Sequence, residues 1–97
     1  PWNIAISYDV DMTFSAKQIE TMLVDYVSAT SADMDIAFIA EKLYYHTSGY
    51  PYFVSKLCKI IDEKIKPEKW TELDIIEAIK ILLNEKGNPN FDKVISL

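Results

Sequence analysis

The sequence predicts an all-α fold: a compact bundle of four helices with an extended N-terminal lead-in and a partial fifth helix. Three observations carry that expectation. Apolar residues recur at helical spacing in four separate stretches, residues suited to helix ends punctuate those stretches, and the chain holds only two glycines. Ninety-seven residues, 49% of them hydrophobic, suffice for one modest core and no second domain. The chain is therefore read as a single helical domain over residues 1–97, cut from a longer protein. Residues 1–14 form the lead-in, 15–88 the helices, and 89–97 the start of a following element.

In the lead-in, Trp2, Ile4 and Ile6 alternate with Asn3, Ala5 and Ser7, a strand-like pattern that gives way to Asp9-Val10-Asp11-Met12. No other ligand-spaced residue joins Asp9 and Asp11, so they read as a solvated loop and no metal site is expected. The first helix starts at Ser15, with Gln18 three residues on to complete a capping box and with Phe14 and Ile19 at the staple positions. Ile19, Met22, Leu23, Tyr26 and Val27 form its stripe, and a polar loop is expected over Ser28–Asp33. Asp35 caps the second helix, whose Ile36, Ile39, Ala40 and Leu43 face one way before it stops at Gly49.

The third helix runs from Pro51 to about Ile65. Phe53, Val54, Leu57, Cys58, Ile61 and Ile65 face inward, and Lys56, Lys59, Glu63 and Lys66 face water. After a turn at Lys66–Lys69, the start signal returns as Trp70-Thr71-Glu72-Leu73-Asp74-Ile75, with Thr71 as cap. Ile75, Ile76, Ile79, Leu82 and Leu83 carry the fourth stripe, and Gly87 with Pro89 ends it. Phe91, Val94 and Ile95 keep helical spacing to the last residues, the basis for the partial fifth helix.

The stretch Thr47-Ser48-Gly49-Tyr50-Pro51-Tyr52 compresses a helix end, a corner and a helix start into a few residues. Glycine accepts the left-handed conformation that closes a helix, proline suits the first position of the next, and a residue before proline is pushed out of the helical region. Such a short corner flanked by aromatics predicts a fixed geometry. The candidate binding residues are accordingly Gly49, Tyr50, Pro51 and Tyr52.

Composition narrows the function classes. All ten basic residues are lysine, against fifteen acidic residues, for a net charge of −5. Arginine's fork, the usual device for bidentate phosphate or guanine recognition, is missing, and the net charge repels a polyanion, so nucleic acid is not the expected partner. No apolar run reaches the ~20 residues of a membrane span and no signal-peptide pattern opens the chain, so a cytoplasmic location is expected. The single cysteine, Cys58, lies on an apolar helix side and reads as a buried thiol. His46, in the last turn of the second helix, reads as a dipole partner or partly buried spacer. Ser48 and Ser55 read as helix-end hydroxyls. There is no P-loop, no cysteine–histidine zinc set and no carboxylate pair against an apolar wall, so no catalytic residue is assigned and the chain alone is not expected to be an enzyme.

The corner also carries a resemblance. Thr47-Ser48-Gly49-Tyr50-Pro51-Tyr52-Phe53-Val54, followed by Leu57-Cys58, resembles the Thr-Gly-Gly-x-Pro motif of the helical lid in AAA-like P-loop ATPases of the signal-transduction (STAND), archaeal and bacterial kinds. The lead-in Asn3-Ile4-Ala5, the start at Phe14, Ser15 and Ile19, and the late start at Trp70, Thr71, Asp74 and Ile75 are similar to that lid in order. The resemblance covers most of residues 1–88. It implies a lid over a nucleotide, ATP or ADP, held mainly by an upstream P-loop core in the same chain, with the corner near the adenine or ribose. The motif's first glycine is Ser48 here, and no arginine is present to sense the γ-phosphate, so a base-side contact is the implied role. Two other classes stay open: a helix-turn-helix or winged-helix DNA binder using Lys56, Lys59, Lys64 and Lys66, and a helical adaptor binding protein through Tyr44, Tyr45 and Tyr52. Asp62 and Glu63 among those lysines favour a solvated face over a DNA surface.

Overall fold

The computed structural model describes residues 12–86. The strand-like segment with Trp2, Ile4, Ile6, Asp9 and Asp11 lies outside the described residues, as do Gly87, Pro89 and the Phe91, Val94, Ile95 pattern.

Each helix forms where its stripe and its end residues agree. Helix α1 spans Ala16–Thr30. Ser15 Oγ accepts the Gln18 amide at 3.1 Å while the Gln18 side chain accepts the Ser15 amide at 2.8 Å, the reciprocal box that satisfies two of the orphan donors at a helix start. The stripe residues Ile19, Leu23 and Tyr26 are buried. The helix outlasts the expected polar loop, because Ser28, Ala29 and Thr30 stay helical and Thr30 Oγ1 donates back to the Tyr26 carbonyl at 2.8 Å.

Helix α2 covers Ile36–Thr47, with the Phe38 amide donating to Asp35 Oδ1 at 3.3 Å as the cap. Helix α3 covers Pro51–Ile60 and continues through a π-helical turn, Ile61–Ile65, closed by the Lys66 amide on the Ile61 carbonyl at 2.8 Å. Helix α4 covers Glu72–Lys86. At its start Asp74 Oδ2 accepts the Thr71 amide at 2.8 Å, the same bond that Gln18 makes to Ser15, but the Thr71 hydroxyl donates to Asp74 Oδ2 at 3.0 Å in place of accepting the Asp74 amide.

Helix α1 packs chiefly on α2 and α3 on α4, while α2 also touches both α3 and α4. The shared core holds Ile19, Leu23, Ile39, Leu43, Val54, Leu57, Cys58, Ile61, Ile75 and Leu82. Burying a large aliphatic side chain contributes ~1.5–3 kcal/mol, so these residues supply the main drive to fold. Two dipeptides add an element that helical periodicity does not announce. Strands β1 (Asp33–Met34) and β2 (Lys69–Trp70) pair in parallel, Asp33 with Lys69 and Met34 with Trp70. The pairing ties the α1–α2 connection to the α3–α4 connection and seats Trp70 against Tyr26, their ring centroids 5.3 Å apart.

Among the described residues, no helix is long and apolar enough to cross a membrane.

Candidate functional site

The corner between α2 and α3 is built from the inside outward. At its inner edge Thr47 is buried, its hydroxyl donating to the Leu43 carbonyl at 2.7 Å and accepting the Gly49 amide at 3.0 Å. Threonine hydroxyls commonly satisfy backbone groups at a helix end, and this pair of bonds fixes where α2 stops. Two left-handed residues then follow in sequence. Ser48 has φ 56° and Gly49 φ 81°. Ser48 is thus the C-cap of α2, its amide donating to the Tyr44 carbonyl at 2.7 Å, and Gly49 follows at the C′ position in the left-handed conformation expected of it.

Gly49 answers to a second constraint that its local sequence does not reveal. The Phe14 amide donates to the Gly49 carbonyl at 2.7 Å. A Cβ placed on Gly49 would overlap the Phe14 carbonyl oxygen and come within 3.2 Å of its carbon and 3.3 Å of its nitrogen. Only glycine fits a backbone approach this close.

The outer edge is aromatic. Tyr50 is extended, at φ −62° and ψ 117°, as expected before a proline, and its side chain makes no capping hydrogen bond. Pro51 occupies the first position of α3 and is buried, so its ring is not an open surface. Tyr50 and Tyr52 remain 47% and 43% exposed. Both meet Phe53 edge-on, at centroid distances of 6.4 and 5.3 Å. Of the four candidate residues, Gly49 and Pro51 therefore set geometry, and Tyr50 and Tyr52 present surface.

Beside the corner, α2 shows a second exposed face. Tyr45 is 76% exposed, Lys42 Nζ stands 5.4 Å from the Phe38 ring centre and 6.0 Å from that of Tyr45, and a shallow groove of about 360 Å³ runs among Glu41, Lys42, Tyr44, Tyr45 and Ser48. Cation–π contacts of this kind hold a lysine head over a ring.

Several of the remaining polar groups have structural partners. His46 Nε2 lies 3.1 Å from Glu72 Oε2, joining the last turn of α2 to the first turn of α4. Lys64 Nζ bonds Glu85 Oε1 at 2.8 Å, which commits one of the four lysines of the DNA-binding reading to an ion pair. Asp62 is half-buried rather than part of an open face, because its Oδ1 accepts the Tyr26 hydroxyl at 2.6 Å. Burial first, and then the Asp62 bond and charge, push the Tyr26 hydroxyl up to about 12. Cys58 is fully buried, and burial together with the Asp62 charge pushes its thiol well above the usual range, which makes it a packing group rather than a nucleophile. Ser55 is not a helix-end group. It lies buried within α3, and its Oγ finds no hydrogen-bond partner among the described residues.

Two residues that matter to the corner, Thr47 and Phe14, are absent from the sequence-based set. Thr47 had a detectable signal, a threonine directly before a helix-stop pair. Phe14 had none, because its contact with Gly49 is made by backbone atoms across the fold.

No family model, curated protein or solved structure matches the chain.

Proposed function

We propose that this chain is the helical lid of a P-loop ATPase or nucleotide switch, packing over ATP or ADP held by an upstream core and transmitting the nucleotide's state without breaking a bond itself. The observation that carries the reading is the corner's division of labour. Its inner residues Thr47, Gly49 and Pro51 are buried and fixed, while Tyr50 and Tyr52 stand half-exposed on either side of the proline, both braced on Phe53. Rigid backbone with two half-exposed phenol rings suits a flat base, which can stack on the exposed face of one of them. The N-terminal end of α3, positive by its dipole, begins at Pro51 between the two tyrosines and favours a ligand's negative charge. Lysine is the only permanent cation type in the chain, so γ-phosphate sensing falls to the core or to a partner.

The reading requires a P-loop and an acidic strand encoded upstream of Pro1. Within that longer protein, Tyr50→Ala and Pro51→Gly should each weaken ADP binding in calorimetry, by roughly 1–3 kcal/mol if a base–aromatic stack is lost. Unchanged affinity in both variants, with the helical fold intact by circular dichroism, overturns the assignment.

The face formed by Phe38, Lys42, Tyr44 and Tyr45 favours a second reading, a protein-binding adaptor. Exposed tyrosines supply rigid contact area at low entropic cost. Tyr45→Ala would then abolish partner capture and leave nucleotide affinity unchanged.

A further inference from the structure

We infer that the Phe14–Gly49 contact is a backbone clamp through which the segment entering α1 sets the conformation of the α2–α3 corner, and with it the placement of Tyr50 and Tyr52. Ser48 and Gly49 sit side by side in the left-handed region, at φ 56° and 81°, an arrangement that persists only where surrounding contacts over-determine it. Three bonds do so. Thr47 Oγ1 takes the Gly49 amide at 3.0 Å, the Thr47 carbonyl takes the Tyr50 amide at 3.2 Å, and the Gly49 carbonyl takes the Phe14 amide at 2.7 Å.

The first two are local to the corner. The third comes from another part of the chain, and it is held at both ends. Phe14 is anchored by its buried side chain and by the capped Ser15 that follows it, whose backbone is fixed at φ −77° and ψ 165°. Gly49 has no side chain to yield, and its α-carbon lies so close to the Phe14 carbonyl that no Cβ fits between them. Close-packed groups transmit displacement rather than absorb it, so a shift of the entry segment at Thr13 and Phe14 moves the Gly49 peptide, and Tyr50 and Tyr52 follow. The clamp stands on geometry alone. Its role in relaying motion to nucleotide contacts rests on the lid reading.

The test exchanges one backbone N–H for oxygen and leaves every side chain in place. Replacing Phe14 by phenyllactic acid through semisynthesis turns its amide into an ester, keeps the ring and deletes the donor. Amide exchange followed by NMR on the 97-residue chain, with no nucleotide present, should then rise at least tenfold at Gly49 and Tyr50. The Lys66 and Asp74 amides, bonded to Ile61 and Thr71 elsewhere, should stay within twofold of the unmodified chain. Unchanged exchange at the corner overturns the clamp, and so does an equal rise at every amide, which marks a general stability loss. If the ester chain does not fold, the unmodified chain decides in low denaturant. The Phe14, Gly49 and Tyr50 amides should open with one common free energy and denaturant slope, and separate opening of Phe14 overturns the inference. Neither arm contains nucleotide, so failure of the clamp and failure of the lid reading remain distinguishable.

Discussion

The starts of α1 and α3 touch each other yet are secured by different means. The α1 start is held by side chains, Ser15 and Gln18 each satisfying the other's backbone amide. The α3 start is held by backbone shape: a proline at the first helical position, a tyrosine whose side chain does not cap, and a glycine pressed against Phe14. A side-chain cap can be removed piece by piece at modest cost. A backbone contact tolerates almost nothing, but it leaves the flanking side chains partly exposed. At α3 those side chains are Tyr50 and Tyr52, which is why the corner, and not the better-capped α1 start, is the candidate for contacting a ligand.

Substitutions test this contrast, the most damaging first. Gly49→Ala combines overlap with the Phe14 carbonyl and a left-handed φ unsuited to alanine, and should cost roughly 2–5 kcal/mol by urea denaturation. A midpoint unchanged from wild type would break the claim that the α3 start is all-or-none. Tyr26→Phe removes the bond to Asp62 that ties α1 to the end of α3, and should cost about 1.5–3 kcal/mol, the range for a hydrogen bond to a charged group. This difference depends on pH in a defined direction. The Tyr26 hydroxyl is raised from 10.0 to about 12 in the folded chain, so the stabilisation is complete below pH 10 and is lost as pH rises toward 12. Melts of both proteins across that window should therefore converge. Ser15→Ala should cost only about 1 kcal/mol, the usual worth of an N-cap. A loss as large as that of Gly49→Ala would erase the distinction between the two starts.

The smallest change has the opposite sign. Ser48→Gly relieves a left-handed non-glycine residue, worth ~1–2 kcal/mol, against ~0.5–1 kcal/mol for glycine's greater freedom when unfolded. A net gain of roughly 0.5–1 kcal/mol in the thermal or urea midpoint is expected, and a loss would mean that the Ser48 side chain contributes more than its strained backbone costs.

The same contrast explains what could be read from the sequence. The capping box at Ser15, the Asp35 cap and the stripes through Leu23, Leu43 and Leu57 were legible because helical spacing and end chemistry are local properties. The extended Tyr50 followed equally from Pro51. Other features depend on distant partners. The β1–β2 pairing spans two residues on each side and leaves no periodic trace. Asp62 looked like one charge on a solvated face until α1 brought Tyr26 to it. Gly49 was singled out correctly as a position for glycine, but the stronger reason, the Phe14 backbone, comes from across the fold. The left-handed C′ position expected of it is the one it holds, and what the sequence did not announce is that the C-cap before it, Ser48, is left-handed as well.

The lid reading is tested most directly by where a nucleotide touches this chain. A photoreactive adenine analogue, bound to the longer protein that the reading requires and irradiated, should label the tryptic peptide between Lys42 and Lys56, at Tyr50 or Tyr52. Excess ADP should suppress that label. Labelling confined to the upstream core, with none on residues 43–56 at saturating analogue, would contradict the account.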